Sequence, residues 1–139
     1  MAATGRRTFL GAFVLAIHAE TRDDLRDVLA RMATSLSSGN FSAFFKPIDP
    51  AMPGYAELRQ QIAGLTAYAE LSSSVEIQSA AGDEKKQTAK VDWYLQLKSR
   101  DEQAVSAQRR ETLRFDFEKR GKQWIVTRIE PVSIFNITD

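Results

Sequence analysis

Lys90-Val91-Asp92-Trp93-Tyr94-Leu95-Gln96-Leu97 alternates apolar and polar residues without a break. In an extended chain successive side chains point to opposite faces. Val91, Trp93, Leu95 and Leu97 therefore share one face, and Asp92, Tyr94, Gln96 and Lys98 share the other. The expected strand covers residues 85–99. The same period of two precedes it in Leu71, Ser73, Val75 and Ile77. It follows again in Leu113, Phe115 and Phe117, opposed by Arg110, Thr112, Arg114, Asp116 and Glu118, on a strand expected over about 104–119. Residues 80–84 and 120–122 read as turns, and a polar loop lies around 100–102. A last strand is expected from 123 to about 135, with Pro131 requiring a bulge or an edge position.

Upstream of residue 70 the period is helical. Thr21 with Asp24 resembles a capping box, and Leu25, Val28, Leu29, Met32, Ala33 and Leu36 then recur in steps of three and four. Gly39 can take the left-handed conformation that ends such a helix. Asn40 is placed to cap a short second helix, 41–46, which carries Phe41, Phe44 and Phe45. Pro47 and Pro50 stop it. A third helix is expected over 54–68, with Tyr55, Leu58, Ile62 and Leu65 as its stripe. The fold class that follows is α+β. Three amino-terminal helices pack on the concave face of a curved, four-stranded antiparallel sheet.

Residues 1–19 read differently. Arg6 and Arg7 form a charged start, Phe9 to Ile17 form an apolar run, and Ala19 is small enough for a signal peptidase. Arg6-Arg7 with Phe9-Leu10 just beyond resembles a twin-arginine export signal; the general secretory route is the alternative. The apolar run is about half of the ~20 residues that a spanning helix needs. The expected organisation is a signal peptide, 1–19, and a single domain, 20–139, in the periplasm or secreted. With no cysteine there is no lipid-anchoring residue, so no stable membrane anchor is expected after processing.

Composition narrows the chemistry. The chain has 139 residues, with 19 Lys+Arg, 18 Asp+Glu, no cysteine and one histidine. Residues 1–19 hold two arginines and no acid, so residues 20–139 carry a net charge of −1. That gives no electrostatic case for nucleic acid. The lone histidine is His18, inside the expected signal. Ser–His and Cys–His pairs are then impossible in the domain, and the common zinc, copper and haem sites lose their ligands. No phosphate, dinucleotide or calcium loop is written in the sequence. Neither a cofactor nor a metal is expected. Any acid–base chemistry would fall to Asp, Glu, Lys or Tyr.

The chain resembles the nuclear transport factor 2-like superfamily, with its cystatin-like cone fold, over residues 21–135. The residues that carry the resemblance are 90–97, Arg109-Arg-Glu-Thr-Leu-Arg-Phe115, and Gly121-Lys-Gln-Trp-Ile-Val126 with Ile129-Glu-Pro131. The resemblance implies a cup between helices and sheet, and often a dimer through the outer sheet face. It does not choose a function, because the superfamily holds isomerases, dehydratases, cyclases and non-enzymatic binding domains. The dehydratase and several cyclases use histidine. The isomerase needs a pocket aspartate with a tyrosine and a second, protonated aspartic acid. Tyr55, Tyr68, Asp49 and Asp92 are the candidates by type. Asp92 should point away from the helices and Asp49 has no expected partner, so no catalytic residue is carried over.

Four residues remain as a ligand pocket: Tyr55, Trp93, Arg109 and Glu111. Arg109 and Glu111 share the face of Leu113 and enter the concave side near its rim. They form either a polar handle for a ligand or a salt bridge at the sheet end. Trp93 and Trp124 read as core aromatics or as a stacking surface, and the phenylalanines of the second helix as core or as a pocket wall. The outer face, with Tyr94, Gln96, Thr112 and Arg114, reads as a homodimer contact or a solvated surface. The leading reading is an exported, non-catalytic domain that binds a small apolar ligand or a protein partner. Its rivals are a lyase or isomerase working through Tyr and Asp/Glu, and a structural dimerisation module.

Overall fold

The computed structural model describes residues 2–100 and 106–136, with side chains from residue 19 onward. Helix α1 spans Ala2–Ser37, α2 Phe41–Phe45 and α3 Tyr55–Tyr68. Four strands follow: β1 Ala69–Gly82, β2 Lys86–Ser99, β3 Ser106–Arg120 and β4 Gln123–Glu130. They pair antiparallel in the order β1-β2-β3-β4, a meander with no crossover. This is the expected α+β architecture. The side chains of Arg6 and Arg7, and the expected start of the third strand at Ala104, lie outside the described residues.

The decisive stretch behaves as its period requires. Val91, Trp93 and Leu95 have no exposed surface, and Leu97 is buried beside them. Cross-strand partners line up on the same face: Val91 opposes Leu113, and Ala89 opposes Phe115. Register shifts between Ile77 and Ser79, and between Asp116 and Phe117, insert an extra residue on one strand. Such bulges bend a sheet and increase its twist, which curls this one around the helices.

Helix α1 closes the concave side along β1. Leu25, Leu29 and Met32 are fully buried, as the three-and-four spacing predicts. The Arg22 guanidinium donates to the Ile77 carbonyl (3.0 Å), and the Ser37 hydroxyl accepts from the Ser73 amide (3.1 Å). The helix ends as expected. Gly39 takes φ +71°, its amide reaches the Leu36 carbonyl, and the Asn40 amide reaches that of Ser35. Asn40 Oδ1 then accepts from the Ala43 amide at the start of α2.

Three boundaries differ from expectation. The α1 backbone is helical from Ala2, so Thr21 is interior and not a cap; no proline between them interrupts the helix. Strand β1 continues through residues 80–82, which were expected to turn. Asp83 makes the turn instead, its carboxylate accepting from the Lys85 and Lys86 amides (2.8 Å each). Gly82, at φ +150°, passes so close to Lys86 that a Cβ would lie 2.1 Å from its carbonyl oxygen. Finally, β4 stops at Glu130, ahead of Pro131, which has no N–H to extend a ladder. The chain then turns as a 3-10 helix, Ser133–Phe135, which drives Phe135 into the core.

Candidate functional site

The concave side is filled by its own side chains. Trp93 stacks on Phe115, with centroids 5.9 Å apart and planes 5° from parallel. Phe135 meets Trp93 edge-on at 5.5 Å and Phe44 at 6.0 Å. None of these four rings has exposed surface. Trp93 is thus a core residue. Its indole N–H is buried with no protein acceptor among the described residues, as is that of Trp124.

Arg109 and Glu111 sit half-buried on the same face, near the end of β3. In register Glu111 opposes Trp93, and Arg109 opposes Leu95. They do not form the salt bridge expected of them as a pair. The Arg109 guanidinium donates to the carbonyls of Ile134 (2.6 Å) and Asn136. It therefore clamps the segment that carries Phe135. The expectation missed this because an arginine on a strand gives no sign that a chain end 25 residues later will return to it. Glu111 has no ion-pair or hydrogen-bond partner among the described residues.

Tyr55 belongs to another group. It packs edge-on against Phe45 at 5.5 Å, and Phe45 lies 4.9 Å from Phe41. Of the three phenylalanines of α2, Phe44 and Phe45 are buried in the core, with Phe45 at its edge against the first turn of α3, and Phe41 is half-buried beside it. There the Arg59 guanidinium lies 5.2 Å from the Phe41 centroid, 5.7 Å from Phe45 and 5.9 Å from Tyr55. These residues, with Asn40 and Lys46, line an open recess of about 600 Å³. The sequence reading named Tyr55 and missed Arg59 and Lys46. A helix period of four from Tyr55 to Arg59 was the available signal.

A second recess, about 480 Å³, lies where the end of α1 meets α3 and β1. It is polar and partly tied off. Arg100 donates to the Thr66 carbonyl (3.2 Å) and lies 4.0 Å from Glu70.

The aspartates proposed by type stand outside the cup. Asp92 faces outward, 3.6 Å from Arg110, as the strand period predicts. Asp49, expected to lack a partner, has two: the Ala51 amide (2.8 Å) and Arg120 (2.7 Å). That amide first, and Arg120 second, hold its carboxyl below the usual carboxylate range. The backbone amides of Lys85 and Lys86 do the same for Asp83 in its turn. Both groups are structural, and neither adjoins Tyr55, Trp93 or Glu111. Among the described residues no cluster of His, Cys, Asp and Glu could hold a metal ion, and no helix is long and apolar enough to cross a membrane.

The sequence matches no protein-family model and no curated protein. Solved structures do match. A conserved protein from Planctomyces limnophilus superposes with a TM-score of 0.70 at 11% identity, covering 81% of this chain and 94% of that one. An NTF2-like protein with a cystatin-like fold from Novosphingobium aromaticivorans gives 0.63 at 17% identity, over 88% and 86%. The fold is the nuclear transport factor 2-like one. A type 2 hexachlorocyclohexane dehydrochlorinase shares it, at 0.65 and 10% identity over 82% and 85%. Identities this low establish the shared fold and leave function to the site.

Proposed function

We propose that this chain is an exported, non-catalytic binding domain that takes a small ligand in the recess between α2 and α3. One observation carries the reading. Phe41, Phe45, Tyr55 and Arg59 leave an open aromatic recess, while Trp93, Phe115 and Phe135 fill the cup with no exposed surface. Ligand sites are concave and largely apolar, with a few polar groups that fix orientation. The recess is shallower and more evenly mixed, with the rings of Phe41, Phe45 and Tyr55 beside the polar groups of Asn40, Ser42, Lys46 and Arg59. The cup offers no room beside Trp93, and its charged residues are not arranged for acid–base work: Arg109 is bonded to backbone carbonyls, and Glu111 has no partner among the described residues. The fold's enzymes, such as the dehydrochlorinase, lend this chain no activity by likeness alone.

Export is supported by Arg6-Arg7, the apolar run that follows and Ala19. For the outer sheet face the partner we propose is a second copy of the chain. Tyr94 lies half-buried there, with the Arg110 guanidinium 5.3 Å from its ring centroid. The neighbouring charges are already paired within the chain, Arg110 with Asp92 and Arg114 with Asp116, which lowers the cost of covering them. Light scattering at high micromolar concentration should report a dimer; a monomer there removes this part of the reading.

The ligand site is tested by soaking crystals of the protein in a set of small aromatic compounds. Density between α2 and α3 is expected. Density against Trp93, inside the sheet, contradicts the reading.

A further inference from the structure

We infer that the ligand of the α2–α3 recess is a small aromatic carboxylate, held by Arg59 and Lys46 over the rings of Phe41, Phe45 and Tyr55. This rests on the reading of that recess as the ligand site, and adds the chemistry of what fills it.

The first observation is how Arg59 is held. Its guanidinium lies within 6 Å of three ring centroids, all belonging to the recess. A guanidinium packs well on aromatic faces, which fixes its plane without using its N–H donors. Those donors point around the edge of the group in a rigid fork that matches the two oxygens of a carboxylate. In this chain they have no carboxylate or carbonyl partner among the described residues.

The second observation is the charge of the surroundings. Among the described residues most exposed arginines are answered by acids: Arg26 by Asp23, Arg114 by Asp116, Arg120 by Asp49 and Glu118. Arg31 and Arg59 are not, and of these two only Arg59 lies over aromatic rings. Lys46 lines the same recess, and no residue that lines it is acidic. Two cations beside partly accessible rings, with no acidic residue in the lining, complement an anion that carries a flat apolar body. A neutral aromatic would use the rings and leave the donors idle. A bare inorganic anion would use the donors and leave the rings idle.

The recess is of a size to admit such a molecule. At about 600 Å³ it falls within the roughly 300–1,000 Å³ of small-molecule sites. It is open, so the ligand would enter without displacing any element of the core.

The test titrates the full chain with phenylacetate and, separately, with its neutral isostere phenylacetamide, following backbone amide resonances. Phenylacetate should shift the amides of residues 40–46 and 55–59. Phenylacetamide should shift the same amides with about 25- to 100-fold weaker affinity, the loss of a charge-assisted contact to each of the two cations. Arg59→Gln and Lys46→Gln should each weaken phenylacetate by about fivefold to tenfold while leaving phenylacetamide nearly unchanged. Lys46 is exposed, so thermal melts of Lys46→Gln should match the parent, and Arg59→Gln, which gives up its ring contacts, should melt only slightly lower. Equal affinity for the two probes at these amides overturns the carboxylate inference and leaves the recess as the ligand site. No shift at these amides with either probe overturns the recess reading, and this inference with it.

Discussion

Arg109 is a polar residue whose partners decide its role. It donates to two backbone carbonyls, of Ile134 and Asn136, and both of these bonds are lost in Arg109→Ala. Hydrogen bonds from a charged donor to part-buried acceptors are worth about 1.5–3 kcal/mol, so the variant should lose that much stability in urea denaturation. Glu111→Gln should change stability by less than about 0.5 kcal/mol, since no partner is lost. Equal losses in the two variants would mean that the residues act as a pair after all. Asp49 makes a pH-dependent contribution. Its carboxyl is lowered in the folded state, by the Ala51 amide and then by Arg120. The contribution is therefore fully present above the ordinary carboxylate range and fades as pH falls through the lowered value. The gap in melting temperature between parent and Asp49→Asn should be widest near neutral pH and close on acidification. A gap that widens in acid contradicts the assignment. Neither contact was legible in the sequence. Asp49 and Arg120 stand 71 positions apart, and only the pairing of β4 with residues 47–49 through Val126 brings the end of β3 beside Asp49.

At the scale of elements, periodicity is a strong guide and chain ends are a weak one. Leu29 lies mid-stripe on α1 and is fully buried, so Leu29→Ala should cost about 2–5 kcal/mol in chemical denaturation. A loss under about 0.5 kcal/mol would show that another face of α1 meets the sheet. The strand faces were legible because alternation reports burial directly, from Val91 to Leu97 and from Leu113 to Phe117. The start of α1 was not, since Thr21 is an equally good cap or interior residue. The 3-10 turn at Ser133–Phe135 was not legible either. Its three residues show no period, and its position follows from Phe135 finding Phe44 and Trp93, which are distant in sequence. The same holds for the division of the α2 phenylalanines. The sequence offered core and pocket wall as rivals, and the short helix buries Phe44 and Phe45 in the core and leaves Phe41 half-buried beside Arg59.

For the whole molecule, export and ligand binding are separable proposals. If the twin-arginine route operates, amino-terminal sequencing of protein from the native host should start near Glu20, and replacing Arg6 and Arg7 by lysines should stop export. Continued export of that variant would leave only the general secretory route. The binding proposal turns on which concavity a ligand uses. The fold makes a cup, but here Trp93, Phe115 and Phe135 occupy it, and the open aromatic surface lies outside, between α2 and α3. The chain has two tryptophans, so the indole N–H resonance of Trp93 can be assigned by comparison with Trp124→Phe. That N–H is buried in the cup without an acceptor among the described residues, which makes it a sensitive reporter of anything entering there. During a titration with phenylacetate it should stay in place while the amides of Phe41 and Phe45 move. Movement of the Trp93 indole resonance, with those amides unchanged, would contradict the account.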